Sequence, residues 1–150
     1  MFRGANKVTL DTKGRMAMPA RYRDTLVERS GGKLVATVDR SDKCLHIYPL
    51  PDWEEIERKL MRLPTLNEQV RRLQRLMVGH ATDLELDSHG RVLVPPKLRE
   101  YAGLTRQAML IGQGSRFELW DELHWNERRD AWLQAGDVGT LPTELEQLSL

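Results

Sequence analysis

The chain has 150 residues, of which 40% are hydrophobic and 30% are charged, so its size fits one compact domain or two small domains that share a core. The net charge of +1 excludes a polycation, and no apolar run reaches the length of a membrane span. The first residues lack the apolar stretch of a signal peptide, which predicts a cytoplasmic protein.

Charge is distributed unevenly along the chain. Residues 1–30 carry seven basic and three acidic side chains, whereas residues 118–150 carry two basic and eight acidic ones, Asp137 among them. The asymmetry predicts a basic working face and an acidic far end. Ordinary solvated surface charge is the alternative that the sequence leaves open.

An internal repeat organises the sequence. Residues 10–23 align with residues 86–99 at an offset of 76, with six identical positions. A second block aligns residues 45–48 with residues 117–120 at an offset of 72, and a tryptophan follows each block at that offset. Two matched blocks in the same order indicate two fused copies of one small unit.

The first half of each copy predicts a strand, a turn, a second strand and a short helix. Val8 and Leu10 alternate with polar neighbours, as in a half-buried strand. Pro19 and Pro95 predict helix starts, because the missing N–H is harmless in the first helical turn. Gly31 and its counterpart Gly103 predict where these helices end.

The second half of each copy predicts two strands and a closing helix. The β-rich segments are residues 34–38, 45–48, 109–111 and 117–120. Asp52 and Glu55 predict a capping box for a helix that Pro64 ends. Further helices are predicted from Asn67 to about residue 78, and after Trp125 to about residue 135.

These elements predict a mainly β fold with helices, of the α+β class. One copy has about four short strands, which seldom bury enough apolar surface alone. We therefore expect the two copies to form one pseudo-two-fold, barrel-like core with peripheral helices. The predicted divisions are a first unit at 1–53, connecting helices at 54–80, a second unit at 81–124, and a C-terminal helix and acidic tail at 125–150.

The distinctive motif is Asp-x-x-Gly-Arg, which occurs at residues 11–15 and again at 87–91. Asp11 and Asp87 fit a structural role, since a carboxylate can bond nearby backbone, and Gly14 and Gly90 accept a positive φ. The arginine of each motif either pairs with that carboxylate or projects toward a phosphate or a guanine edge. The predicted DNA-binding residues are Arg15, Lys13, Lys7, Arg3 and Arg91.

The two turns differ in charge. Lys13 in the first turn corresponds to His89 in the second, and a histidine is mostly neutral at pH 7. We therefore expect the first copy to dominate DNA affinity and Arg91 to contribute less.

Residues 10–19 and 86–95 resemble the hairpin motif of the AbrB/SpoVT swapped-hairpin transcription factors. Segments 1–4, 44–53 and 75–81 resemble those members that carry two tandem copies. The resemblance implies a cytoplasmic, nucleoid-associated regulator that binds double-stranded DNA and assembles into a homo-oligomeric ring. It further implies an operator of short tandem repeats, upstream of the division and cell-wall gene cluster that includes the regulator's own gene.

Other functions fit the sequence less well. The four histidines lack metal-ligand spacing, and no complete nucleotide-binding motif occurs, so no enzyme activity, metal or cofactor is predicted. The single cysteine, Cys44, is interpreted as a small buried core residue. The alternative that remains is a non-catalytic, oligomeric protein-interaction scaffold. The basic cluster around the first hairpin favours the DNA-binding interpretation over it.

Overall fold

The computed structural model describes residues 1–136 and 142–149, so residue 137 and its neighbours in the predicted acidic tail lie outside the described part. Eight strands and six helices occur there. In chain order they are β1 (Phe2–Thr9), β2 (Arg15–Ala17), α1 (Ala20–Ser30), β3 (Lys33–Val38), β4 (Leu45–Pro49), α2 (Leu50–Met61), α3 (Glu68–Met77), β5 (Thr82–Glu85), β6 (Arg91–Leu93), α4 (Pro96–Tyr101), β7 (Gln107–Gly114), β8 (Arg116–Asp121), α5 (Glu122–Ala135) and α6 (Thr143–Glu146).

The strands form two antiparallel sheets, and each sheet contains strands from both copies. The large sheet has the order β1-β7-β8-β4-β3-β5, and β2 pairs with β6 in a two-stranded ribbon. Strand β1 of the first copy pairs with β7 of the second, while β5 of the second pairs with β3 of the first. Each copy therefore completes its sheet with a strand from the other.

The strand pairing reveals a pseudo-two-fold axis. In the large sheet, His46 of β4 lies opposite Glu118 of β8, and these two residues are equivalent in the repeat. In the ribbon, Met16 of β2 lies opposite Val92 of β6, which are equivalent too. A residue that pairs with its own equivalent lies on the symmetry axis, so the axis passes through both pairs.

One hydrophobic core lies between the two copies. Its most deeply buried members come from both halves of the chain: Met16, Met18, Leu26, Leu34, Leu45, Ile47, Val92, Val94, Leu110, Phe117 and Leu119. Burial of a side chain of this size stabilises the fold by about 1.5–3 kcal/mol. Because the cluster is shared, neither copy has this core by itself.

The predicted fold class is confirmed: the fold is α+β, dominated by sheet, with tandem swapped-hairpin units and outer helices. The core resembles a barrel only in part. Edge strands β1 and β5 do not pair with each other, so the described strands form no closed barrel. The divisions at residues 53, 80 and 124 stay a prediction.

Two helix starts differ from the expectation. The capping box of Asp52 and Glu55 is wrong, because α2 begins at Leu50, after the extended Pro49. The Asp52 carboxylate instead binds the Arg29 guanidinium of α1, with Nε to Oδ2 at 2.7 Å. Helix α5 begins before Trp125, at residue 122.

Other helix ends agree with the sequence. Asn67 caps α3, since its side-chain oxygen accepts hydrogen bonds from the backbone N–H groups of Gln69 and Val70. Gly31 ends α1 in the left-handed conformation, with φ at +65°. Among the described helices, none combines the length and the apolar character that crossing a membrane requires.

Candidate functional site

The first Asp-x-x-Gly-Arg turn is closed by hydrogen bonds to its aspartate. Oδ1 of Asp11 accepts from the backbone N–H groups of Lys13 and Arg15, both at 2.9 Å. Oδ2 accepts from Nε of Arg15 at 2.7 Å. The backbone closes the same loop, because the N–H of Gly14 donates to the Asp11 carbonyl at 3.0 Å. One carboxylate thus shapes the turn and orients its arginine.

The second turn repeats this arrangement. Asp87 accepts from the backbone N–H groups of His89 and Arg91 at 2.8 and 2.9 Å, and from Nε of Arg91 at 3.0 Å. The Arg91 and Arg15 side chains are each 33% exposed. The two turns are therefore equivalent in geometry and differ in the charge at the lysine and histidine positions.

Both aspartates are held in the ionised form. Hydrogen bonding from the Arg15 backbone N–H, with smaller contributions from the side chain of Arg15 and the N–H of Lys13, lowers the pKa of Asp11 to about 2. The corresponding contacts in the second turn, from the Arg91 backbone first, lower the pKa of Asp87. Each arginine is therefore bound through Nε to a charged partner. The terminal nitrogens of Arg15 and Arg91 donate no hydrogen bond to the described residues, which leaves them available to a ligand.

The β2–β6 ribbon presents both arginines on one face. Met16 and Val92 point into the core, whereas the residues on either side of them point outward: Arg15, Ala17, Arg91 and Leu93. Arg15 lies opposite Leu93 and Ala17 lies opposite Arg91 in the register. The two arginines are thus diagonal neighbours, with Cα atoms about 7–8 Å apart. We call these four residues the outer face of the ribbon.

Two further arginines, whose role was not predicted from the sequence, brace the turns. Nε of Arg99 donates to the Val94 carbonyl at 3.0 Å, and its guanidinium covers Gly14 of the other copy. Nε of Arg23 donates to the Met18 carbonyl at 2.7 Å and covers Gly90 in the same way. Arg23 and Arg99 are the last matched pair of the first repeat block. That match is the feature of the sequence from which a shared role for the two arginines could have been predicted.

The remaining predicted site residues are spread out. Lys13 is exposed at the turn itself. Lys7 is exposed on β1, with its Nζ 3.5 Å from a carboxylate oxygen of Glu122. Arg3 is exposed near the other end of β1, and the segment from Arg3 to Thr9 extends over about 20 Å. The structure therefore groups Arg15, Arg91 and Lys13, and places Lys7 and Arg3 along a strand that leads away from them.

The exchanged strands and the paired aspartate–arginine turns together define a tandem swapped-hairpin protein. The family model described as MraZ protein, and further as antitoxin-like, matches residues 1–76 and again residues 77–133. The chain belongs to the MraZ family. The resemblance to tandem swapped-hairpin proteins is thereby confirmed.

Similar proteins cover the chain from end to end. The chain is 57% identical over 152 residues to a protein of Halorhodospira halophila, 58% over 151 residues to one of Pseudomonas aeruginosa, and 59% over 151 residues to one of Thioalkalivibrio sulfidiphilus. In each comparison 100% of both chains is covered, and each of these relatives is named transcriptional regulator MraZ.

Proposed function

We propose that this protein is a sequence-specific, DNA-binding transcriptional regulator without enzyme activity, and that the outer face of the ribbon contacts the DNA. The observation that carries the proposal is the pair of arginines on that face, each oriented by an ionised aspartate. The names of the relatives support regulation of transcription.

The ribbon suits the major groove of DNA in size and in chemistry. A two-stranded ribbon fits this groove, which is about 12 Å wide. Because Arg15 binds Asp11 through Nε, its two terminal nitrogens remain to donate to O6 and N7 of a guanine. Leu93 is 51% exposed beside them and offers an apolar contact for a thymine methyl group.

The neighbouring cations contact the DNA backbone in this proposal. Lys13 at the turn donates to a phosphate next to the base that Arg15 reads, and Lys7 and Arg3 extend phosphate contact along β1. The second turn has His89 in place of Lys13, so we expect weaker backbone contact near Arg91. The first copy then supplies most of the affinity.

We also propose a homo-oligomeric ring that binds short tandem repeats. The repeat is pseudo-symmetric, so its two outer surfaces differ, and contact between unlike surfaces closes into a ring or continues as a filament. In this proposal, exposed apolar side chains on or beside the outer helices form the contact between subunits. They include Leu66 at 93% exposed, Leu123 at 72% and Leu133 at 75%. Of the two repeat-equivalent tryptophans, Trp53 is buried and Trp125 packs on Trp120, which favours core roles for both.

The proposed operator lies upstream of the division and cell-wall gene cluster that contains the regulator's own gene, and the protein acts in the cytoplasm on the nucleoid. Several tethered hairpins that meet several boxes gain about 10²–10⁴ in affinity over a single contact. Tight binding therefore requires repeated boxes and several subunits.

The test is nuclease footprinting on the region upstream of the gene, followed by titration against DNA with one, two and three of the protected boxes. Light scattering reports the molar mass of the protein in each mixture. We expect a footprint of regular short repeats and an affinity that rises steeply with box number. Equal affinity for one and three boxes would contradict the ring. Absence of any footprint and of DNA binding at low salt would favour the scaffold alternative.

A further inference from the structure

The pseudo-two-fold axis carries a cluster of four potential metal ligands at the end of the core remote from the ribbon. The members are Asp39, Cys44, His46 and Glu118. Asp39 follows β3, Cys44 precedes β4, His46 lies in β4 and Glu118 in β8. One ligand atom from each lies within 4.8 Å of every other. Three members come from the first copy and one from the second.

We propose that these four residues form a binding site for a single zinc-like transition-metal ion, which would join the two copies at their symmetry axis. Thiolate, imidazole and carboxylate are the ligand types that zinc takes in tetrahedral sites. A thiol and an imidazole exclude the hard cations Mg²⁺ and Ca²⁺, which prefer oxygen ligands.

Two carboxylates of the cluster lie near the same imidazole nitrogen, which can donate a hydrogen bond to one of them. Nε2 of His46 lies 2.6 Å from Oδ2 of Asp39 and 3.6 Å from Oε2 of Glu118. One ring nitrogen carries at most one proton, so it cannot donate to both carboxylates with good geometry. His46 and Glu118 are each only 8% exposed, so water does little to solvate this pair. The Arg116 guanidinium lies near enough to act on Cys44 and Tyr48, but a divalent cation among the four ligand atoms would bind both carboxylates directly.

Three of the four ligands are held through an atom other than the one that faces the cluster. Oδ1 of Asp39 accepts from the backbone N–H groups of Ser41 and Asp42, and Oε1 of Glu118 accepts from the indole N–H of Trp120 at 3.0 Å. Nδ1 of His46 lies 3.3 Å from the Tyr48 hydroxyl. Such outer partners orient the ligands in metal sites and leave the inner atoms free to bind.

Binding requires loss of the Cys44 proton. Burial raises the pKa of this thiol, and the carboxylates of Glu118, Asp39 and Asp42 add to the effect, while the Arg116 guanidinium opposes it. Zinc forms a bond to Sγ, and the S–H bond releases its proton to solvent. Bond lengths of about 2.0–2.3 Å separate tetrahedral ligands by about 3.4 Å, so Asp39 and His46 need to move apart by less than about 1 Å.

The test uses untagged protein, stripped with a chelator and titrated with Zn²⁺ in competition with a chromophoric chelator, and separately with Co²⁺. We expect one equivalent of zinc per chain, a thermal unfolding temperature that rises with free zinc, and a thiolate-to-cobalt charge-transfer band in the near ultraviolet. Cys44→Ser and His46→Gln should each weaken zinc binding by at least about 100-fold, since loss of an outer partner alone costs about 10–100-fold. His89→Gln, on the exposed second turn, is the matched control and should bind zinc as the wild type does.

Less than one equivalent of zinc on the wild type, or absence of the charge-transfer band, would overturn the proposal. Wild-type affinity in both Cys44→Ser and His46→Gln would overturn it as well. If Cys44→Ser does not fold, the cobalt spectrum of the wild type decides the question alone. None of these measurements involves DNA, so they stand apart from the proposed regulatory function.

Discussion

Asp11 and Asp87 do more at the residue scale than neutralise an arginine. Each carboxylate accepts two backbone N–H groups and one guanidinium N–H, so it fixes the path of the turn and the direction of the arginine together. In the first turn these contacts lower the pKa of Asp11 from its ordinary value of 3.8 to about 2. Their contribution to stability can therefore be measured through its dependence on pH.

Asp11→Asn should destabilise the fold at neutral pH and cease to do so in acid. A carboxyl with a lowered folded-state pKa adds stability above its unfolded pKa, near 3.8, and that stability is lost as the pH falls toward about 2. The difference in unfolding temperature between wild type and variant should therefore be constant near pH 6 and shrink below about pH 4. Circular dichroism melts across this range measure it, with the exposed Asp83→Asn as the control. A difference that does not change with pH would contradict this account.

Gly14 is constrained by space as well as by conformation. Its φ is +87°, and an added Cβ would lie 2.5 Å from Nε of Arg99. Gly14→Ala should lower the free energy of unfolding by about 1–3 kcal/mol from backbone strain, with the clash in addition. Urea titration checks the value.

Gly31→Ala is the matched control for that prediction, because Gly31 has φ at +65° and its added Cβ meets no atom within 4 Å. It should cost about 1 kcal/mol, for strain alone. Arg99→Ala should be less damaging in the Gly14→Ala background than in the wild type, since it removes the clash. Two results would show that the contact between residue 14 and Arg99 does not affect stability. One is an equal loss of unfolding free energy for Gly14→Ala and Gly31→Ala. The other is a Gly14→Ala, Arg99→Ala double variant whose loss equals the sum of the single losses.

At the scale of elements, the ribbon joins the core to the proposed DNA-binding surface. Met16 and Val92 anchor its inner side at 0% and 1% exposed, so the outer face can change without loss of packing. Rigid support of this kind keeps the two arginines at a fixed separation.

Leu93→Glu should abolish tight DNA binding and leave the fold intact. Leu93 is half exposed on the outer face, so substitution should change stability by no more than about 0.5 kcal/mol. A carboxylate there would face the phosphates and base edges of the DNA and repel them. Leu93→Gln is the neutral control and should retain most binding. Gel-shift titration with melts of each variant tests this, and undiminished binding by Leu93→Glu would place the DNA on another surface.

The repeat made much of the element order predictable. Two aligned blocks predicted the strands, the turns and the shared core, because period and turn chemistry are local properties. The Asp52 cap failed because α2 already begins at Leu50, and the carboxylate then binds Arg29 on another helix. The ligand cluster could not be found from spacing either. Glu118 lies 72 residues from His46 and reaches it only through the pairing of β4 with β8.

At the scale of the whole molecule, the two copies share one core and one axis, with the ribbon at one end and the ligand cluster at the other. Strand exchange makes each copy depend on the other for its sheet and for the arginine that braces its turn. The fusion thus places two equivalent arginines at a fixed distance, while Lys13 and His89 make the two half-sites unequal in charge.

Binding of DNA by the outer face of the ribbon is best tested by the operator affinity of Arg15→Ala. The turn should survive this change, because Asp11 keeps its bonds to the backbone N–H groups of residues 13 and 15. We expect a loss of about 1–3 kcal/mol, which is about 5- to 150-fold in Kd, a smaller loss for Arg91→Ala, and none for the exposed Arg58→Ala on α2. A folded Arg15→Ala protein that binds the operator as tightly as the wild type would show that the DNA binds another surface.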